Sequence, residues 1–465
     1  MRLLTCCCWL ILTALVFCSS ALVANDNVIL DSRPNPELVA EVEAGKREIA
    51  NAGWWGFDPV DSTSILQKAI DSPVKKLIVP NIGNNWIVRP MTLRSNLEIV
   101  FEPGTLVLAK RGEFKGGGDS LFTARDAENL TIRGYGATWR MWKRDYQQPP
   151  YQKAEWRMGL SLRGCQNVLV EGLQIESSGG DGIYVDGGSN INYCDNVTIR
   201  NCVCLDHHRQ GMSVISAQNL LVENCMFAET GGTPPEAGID FEPDSENQRF
   251  INCVVRNCIF QGNSGHEILV YLKPMTRNSE DVSIRFENCV SRMGEAGMEK
   301  TDFIDPTLTG WAGIAVGAIK DDGPQGTIEF INCATENTGK EGIKVFDKSA
   351  DSAKVIFSNC TIKNSWVSRH QDFGGPRVPI LIQVRRPSYT ERPGGIEFNQ
   401  CSVNDTIYAP ALRFDQERSN YGLHDVLGTL YVRSPHGAEA ILGQDLWNVE
   451  VELIDARVDK PNPAP

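Results

Sequence analysis

The sequence predicts an all-β solenoid, a single-stranded parallel β-helix with a helix closing its N-terminal end, and three observations carry that reading. First, an Asn-Cys pair or a near variant recurs seven times: Asn201-Cys202, Asn224-Cys225, Asn257-Cys258, Asn288-Cys289, Asn332-Cys333, Asn359-Cys360 and Gln400-Cys401. The cysteines are 23 to 44 residues apart, which fits a coil of about two dozen residues with loops inserted at its corners. Second, each pair closes a run such as NLLVENCMF or TIEFINCAT in which apolar and polar residues alternate at period two, so the coils are made of short strands. Third, a second strand follows most pairs, built on Gly-Ile-x-Val, as at Gly182-Ile183-Tyr184-Val185, Gly238-Ile239-Asp240-Phe241 and Gly342-Ile343-Lys344-Val345. One such unit cannot bury its apolar face alone, and stacked neighbours supply the missing contacts.

The recurrent Gly, replaced once by Glu267, suits a tight bend between two strands of a coil. Stacking predicts that each Asn hydrogen-bonds to its copies one rung above and below, and that the small Cys side chains pile up inside. Fifteen cysteines include four in the first 18 residues, leaving an odd number that cannot pair completely. Ladder members lie too far apart in sequence for a compact zinc knuckle, so the expectation is buried free thiols rather than disulfides or metal.

Arg2 precedes an apolar stretch from Leu3 to Phe17, and small residues follow around Ala21 and Ala24, the pattern of an export signal over residues 1–24. The expected location is therefore secreted, periplasmic or at the cell surface. No other stretch is long enough to cross a bilayer. Lys plus Arg total 45 against 58 for Asp plus Glu, a formal charge of -13 without any basic cluster, which excludes nucleic acid as a partner. A polyanionic ligand would meet overall repulsion and need local arginines or bound cations. The organisation read from the chain is an N-terminal cap and lead-in over 25–95, the β-helix over 96–435, and a C-terminal cap and tail over 436–465. Oligomeric state is not legible.

Within the lead-in, residues 61–70 offer N-cap candidates followed by Ile65, Leu66, Ala69 and Ile70 at helical spacing. This helix would cover the apolar cross-section and strand edge of the first coil. The stretch from Phe57 through Gly104 resembles the N-terminal part of the pectate-lyase-like (pectin-lyase-fold) superfamily, in which an Asp-x-Thr-x-x-Leu-Gln-x-Ala-Ile helix leads into the first turn. The resemblance implies a right-handed parallel β-helix.

Reactive side chains are densest between residues 177 and 249. With Ile183, Val185, Met212, Val214, Ile239 and Phe241 facing inward, Tyr184, Asp186, Ser213, Asp240 and Glu242 fall on the outer face of three successive rungs. They are expected to form a surface patch, flanked by Asp181, Glu236 and the run His207-His208-Arg209. Asp240 and Glu242 lie two residues apart on one strand, about 6.7 Å between Cα atoms, and Asp186 shares a column with Glu242 at about 9.6 Å. Carboxyl pairs at about 6.5–9.5 Å suit inverting glycoside hydrolysis and those near 5–5.5 Å the retaining route. A lyase or epimerase would instead need a base and a group that neutralises a uronate carboxylate, roles open to His208, Tyr184 and Arg209, with Asp240, Glu242 and Asp244 as Ca²⁺ ligands in that case. Asp195, Asp206, Asp321, Asp322 and Glu341 read as turn residues without a catalytic part. Trp139, Trp142 and Trp156, from a long insertion, fit either a sugar-stacking platform or a buried plug.

The run from Gly180 to Asp244, with its His-Arg-Gln-Gly and Gly-Ile-Asp-Phe-Glu-Pro elements, resembles secreted and phage-borne β-helix proteins of the same class, many of which act on polysaccharides. The polygalacturonase pattern is missing, with no Asn-Thr-Asp and no Gly-His-Gly. Gly56-Phe57-Asp58-Pro59 matches part of an alginate epimerase element, but Val60 stands where the His would be and the segment precedes the coils. The resulting expectation is a polysaccharide-binding and polysaccharide-cleaving protein. A glycoside hydrolase is favoured because carboxylates outnumber bases on the face; a lyase or epimerase, and a non-catalytic binding β-helix, are the alternatives. Asp240 and Glu242 would be catalytic, and Asp181, Tyr184, Asp186, His208 and Arg209 would hold the sugar. No cofactor is called for, and no metal unless the protein is a lyase.

Overall fold

The computed structural model describes residues 31–293, 310–367, 376–405, 410–416 and 421–456. The export-signal expectation over 1–24 lies outside these residues. Successive coils stack by parallel pairing alone. One sheet of twelve strands takes one strand from each coil in chain order, from Met91–Leu93 through Ile183–Asp186, Met212–Val214, Ile239–Phe241 and Ile268–Tyr271 to Ala440–Ile441. A larger sheet of 22 strands holds two ladders, because a long strand such as Gln166–Glu176 bends midway and pairs with Cys194–Arg200 before the bend and with Val203–Leu205 after it.

The bend between those two ladders explains the repeated Asn. Asn201, Asn224, Asn257, Asn288, Asn332 and Asn359 all have φ of 53–54°, and Gln400 has 55°. This left-handed conformation is one that Asn tolerates better than most residues with a Cβ. The amide side chains then run along the stack, with Asn288 donating to Asn257 at 3.1 Å and Asn332 to Asn288 at 3.3 Å. A second Asn ladder, not anticipated from the sequence, runs parallel to the first: Asn129, Asn167 and Asn196 each donate to the preceding member of the series that begins at Asn96, over 2.8–3.1 Å.

The cysteine that follows each Asn points inward. All eleven cysteines of the described residues are free and buried, and the ladder thiols donate to main-chain carbonyls, as Cys289 does to Val255 at 3.5 Å. Beside them aromatic rings stack along the axis: Phe286, Phe330, Phe357 and Phe398 follow one another with ring centroids 5.0–5.4 Å apart.

The Gly of Gly-Ile-x-Val serves close approach of successive rungs. A Cβ on Gly182 would lie 2.5 Å from the Gly211 carbonyl oxygen, and one on Gly211 would lie 2.4 Å from that of Gly238. Glu267, the exception, turns its carboxyl onto Asn263, and burial pushes that carboxyl up to about 8.

Helix α1 (Pro36–Glu43) and helix α2 (Thr63–Asp71) close the N-terminal end. Leu66, Ala69 and Ile70 of α2 are buried in the solenoid core, as its apolar spacing predicts. Residues 446–455, read from the sequence as part of a terminal cap, form a full rung paired along Leu423–Val432.

Candidate functional site

On the twelve-stranded sheet the inward residues Ile183, Val185, Met212, Val214, Ile239 and Phe241 are all fully buried, as the alternation predicts. The outer face is different from expectation: Asp181, Ser213 and Asp240 are also 0% exposed, and Tyr184 and Asp186 only 7–8%. The patch is covered. Met158, from the insertion before Leu160–Arg163, packs on Tyr184 and Ile215, and its sulfur accepts the Asp181 N–H at 3.2 Å. Period-two alternation tells which face a residue is on; it does not tell what lies over that face.

Under this cover three carboxylates gather around one guanidinium. The Arg209 side chain reaches Glu242 at 3.0 Å, Asp181 at 3.7 Å and Glu155 at 3.9 Å. Its position is set by the stacked turns, since the N–H groups of His208 and Arg209 both donate to the Gly180 carbonyl. Gln210 completes the arrangement: its amide N–H donates to Asp240 at 2.6 Å and its carbonyl oxygen accepts the Ala237 N–H at 2.7 Å. Gln210 and Glu155 were not singled out in the sequence. Gln210 lies inside the His-Arg-Gln-Gly element and was legible there; Glu155 arrives from an insertion with no repeat signal.

Electrostatics divide the carboxyl groups. Burial, reinforced by the charge of Glu242, raises the Asp240 carboxyl well above the ordinary carboxylate range. Burial likewise raises Asp181 to about 7, against the pull of Arg209. Glu242 is the member of the set that reaches an open groove. Arg209 itself is driven further toward the charged form, because the surrounding carboxylates outweigh its own desolvation. The two oxygens of Asp181 and Oδ1 of Asp240 are buried without a well-formed hydrogen bond among the described residues, although the Ser213 hydroxyl lies close enough to both carboxyls to pull them down against burial. Such poorly satisfied buried atoms are uncommon in folded proteins, and their concentration around perturbed carboxyls singles this cluster out as the candidate site.

The other predicted ligand residues are placed as follows. Asp186 accepts hydrogen bonds from Tyr184 at 3.1 Å, Arg163 at 3.0 Å and Gln248 at 3.1 Å. Arg163 also lies over the Tyr184 ring at 4.6 Å. Burial and the Asp186 charge push the Tyr184 phenol far up. His208 is hydrogen-bonded to Thr233 at 2.9 Å rather than to the carboxylates. Burial, with Lys143 adding to it, lowers its imidazole to about 4. His207 is lowered to about 3 by burial and bonds Ser178.

Of the residues read as turn residues, Asp206 and Asp321 are tied to neighbouring loops, whereas Oε2 of the buried Glu341 has no hydrogen-bond partner among the described residues. Asp206 pairs with Lys143 at 2.7 Å, and Asp321 accepts from Thr390 and from the Glu391 N–H. The three tryptophans do not form a platform. Trp139 is in the core, stacked on Phe122 at 4.2 Å, Trp142 is pinned to the Ala109 carbonyl, and Trp156 is 54% exposed.

The raised Asp181 carboxyl has a measurable consequence. The folded protein keeps this proton up to about pH 7, whereas the unfolded chain releases it near 3.8. The folded state thus binds more protons between those values, and this group's contribution to stability falls as pH climbs from about 4 through 7. Asp181→Asn should therefore be stabilised relative to the parent at pH 7.5 and not at pH 4.5, measured by urea unfolding. An equal difference at both pH values would show that Asp181 is not held protonated.

A family model described as a right-handed β-helix region matches residues 153–290. The chain is 26% identical over 310 residues to the SPbeta prophage-derived uncharacterized protein YorA of Bacillus subtilis, covering 62% of this chain and 49% of the relative. It thus spans about half the length of that curated relative. Among solved structures, a family 28 exopolygalacturonase from Yersinia enterocolitica superposes with a TM-score of 0.57 at 16% identity, over 88% of this chain and 78% of that one. The A-module of the mannuronan C-5 epimerase AlgE4 from Azotobacter vinelandii gives 0.52 at 12% identity, over 88% and 98%. At such identities these likenesses speak for the fold alone. Stacked parallel coils, the Asn and Cys ladders and these matches together establish the fold as a right-handed parallel β-helix.

Proposed function

We propose that the protein hydrolyses a glycosidic bond of an extracellular polysaccharide, with Asp240 as general acid and Glu242 as the carboxylate that activates or replaces water. The observation that carries this reading is the opposite setting of two carboxyls two residues apart, Asp240 on the strand Ile239–Phe241 and Glu242 just past its end. Asp240 is buried and favours its protonated form; Glu242 is partly exposed and ion-paired to Arg209 at 3.0 Å. Carboxyl pairs whose surroundings set their protonation states apart are how one site supplies acid and base at one pH. Asp240 is closed off from solvent in this form, so hydrolysis by this pair requires its cover to yield when a glycan docks. Gln210, bonded to Asp240 from behind, would hold the acid in place.

The elimination and epimerisation readings are less well supported. Tyr184 is too strongly held in its neutral form to act as a base, and His208 is committed to Thr233. Of the three carboxylates that would hold Ca²⁺, Asp240, Glu242 and Asp244, Glu242 is already ion-paired to Arg209 at 3.0 Å, and that positive charge opposes cation binding beside it. Similarity in fold to a polygalacturonase and an epimerase supports a saccharide substrate and leaves the reaction open.

The test is incubation with neutral, uronate-bearing and sulfated polysaccharides, following reducing ends and the ultraviolet absorbance of unsaturated uronate together, with and without chelator. Hydrolysis raises reducing ends alone, and chelator should leave the rate unchanged. Absorbance rising in step would establish elimination, altered uronate NMR signals without cleavage would establish epimerisation, and binding without any turnover would establish a non-catalytic β-helix.

A further inference from the structure

Beyond Glu242 the outer face of the twelve-stranded sheet opens into a groove of about 360 Å³, within the size range of small-ligand clefts. Its floor is apolar. Leu269 and Tyr271 project outward from one coil and Phe346 from another two rungs on, and Ala237, Ala312 and Ala315 pack with them, their small side chains leaving the space above free. Register explains the hollow: Tyr271 and Phe346 lie in one column with Gly317 between them, where a Cβ would come within 2.4 Å of the Phe346 carbonyl oxygen. A flat apolar floor with Trp311 on one wall offers aromatic faces to a pyranose ring.

The rim carries the opposite character to a chain whose formal charge is -13. Arg385 and Arg386 enter on one turn, fixed because Asp347 accepts both of their backbone N–H groups at 2.7 Å. Among the described residues neither guanidinium is within ion-pair distance of a carboxylate. Arg386 instead donates to the Tyr389 hydroxyl at 2.9 Å, and Lys273 lies 5.9 Å from the same ring. These two cations lower the Tyr389 phenol although burial works against them, a sign of uncompensated positive charge. The two acidic side chains on the groove are already engaged, Asp347 by backbone N–H groups and Glu242 by Arg209. On the wall, His266 is 8% exposed, its ring meets Trp311 edge-on at 5.1 Å, and its Nδ1 has no hydrogen-bond partner among the described residues. A buried polar atom at a cavity wall is satisfied when a ligand brings the missing partner.

We propose that this groove binds one anionic sugar unit, carrying a carboxylate or a sulfate, with Arg385 and Arg386 on the anionic group, Trp311 and Tyr271 against the ring, and His266 on a hydroxyl. Each guanidinium can donate two parallel N–H bonds to a pair of oxygens, which a planar carboxylate and a tetrahedral sulfate both present. Because Glu242 forms the end of the groove, the bond joining this unit to the next is the one delivered to the carboxylates. The inference rests on the saccharide role proposed for this face, but not on hydrolysis.

The experiment is calorimetric binding of the full chain carrying Glu242→Gln, so that turnover plays no part. The probes are α-1,4- and β-1,4-linked glucose tetramers, each in a neutral, a C6-oxidised and a C6-sulfated form. At least one anionic form should bind ten-fold or more tightly than its neutral parent, with the preferred form identifying carboxylate or sulfate. Added salt should weaken that binding. Arg385→Gln with Arg386→Gln should abolish the preference while leaving the melting temperature unchanged, since the turn is held through backbone groups, and Trp311→Phe should weaken all forms together. Equal affinity for neutral and anionic tetramers, no binding of any, or a preference that survives loss of both arginines would overturn the assignment. Hydrolysis of polymers by the parent without any anionic preference would sink this inference and leave the proposed reaction standing.

Discussion

Asp240→Asn and Glu242→Gln should each lower turnover by at least about 10²-fold, the scale of losing one proton-transfer group, while leaving the fold intact. The two losses have different causes. An Asn at 240 keeps the shape and can still accept from Gln210, but it has no proton to give. A Gln at 242 keeps the groove wall and loses the charge proposed to activate water. Stability should respond in opposite senses. Burial already disfavours ionised Asp240, so replacing it with a neutral amide removes an unfavourable group. Removing the Glu242 charge takes one partner from Arg209, which keeps Asp181 and Glu155; for a pair with one partly exposed member the cost is about 1 kcal/mol or less. Asp321→Asn, in a turn bonded to Thr390, should leave turnover unchanged. Parent-level turnover in both site variants, or activity lost only in proportion to melting temperature, would mean that the carboxylates organise the coils instead of acting on substrate.

The repeat was legible because one physical demand recurs at each coil. A bend with positive φ selects Asn, and the inward position after it selects a small apolar side chain, so Asn-Cys reappears wherever the chain turns from one ladder to the next. The second Asn ladder obeys the same demand at another corner. It was harder to see because the residue after each of Asn129, Asn167 and Asn196 is Leu or Val, which merges with the strand that follows. Asp240, Glu242, Asp181 and Arg209 were legible as a group, since stacking brings equivalent positions of consecutive coils together. The burial of Asp181 and Asp240 was not, because part of the cover over this face is Met158, from an insertion whose path no periodicity encodes. Arg385, Arg386 and Tyr389 are about 150 residues from Glu242 in sequence and meet it only through the accumulated rise of the intervening rungs.

The strand Gly326–Ile331 allows the interior and exterior of the solenoid to be weighed against each other at adjacent residues. Phe330 faces inward, fully buried, with Phe286 and Phe357 stacked on either side at 5.0 Å. Glu329 faces outward and pairs with Arg285 at 2.9 Å, its side chain 26% exposed. Phe330→Ala should cost about 3–5 kcal/mol, because the lost ring leaves a cavity that rigid rungs above and below cannot collapse to fill. Two stacking contacts go with it, each worth about 0.5–1.5 kcal/mol within that total. Glu329→Ala should cost less than about 1 kcal/mol, the usual worth of a partly exposed ion pair. Phe330→Leu should fall between the two, since it restores most of the volume without the flat faces. In a stack where each coil contacts only its neighbours, the loss at Phe330 should also loosen the adjacent rungs first. Hydrogen exchange should therefore accelerate at 284–287 and 355–358 before it does at 168–171. Unfolding measurements that rank Glu329→Ala at or above Phe330→Ala would contradict a continuous aromatic interior, and uniform acceleration along the whole chain would contradict nearest-neighbour stacking as the source of its stability.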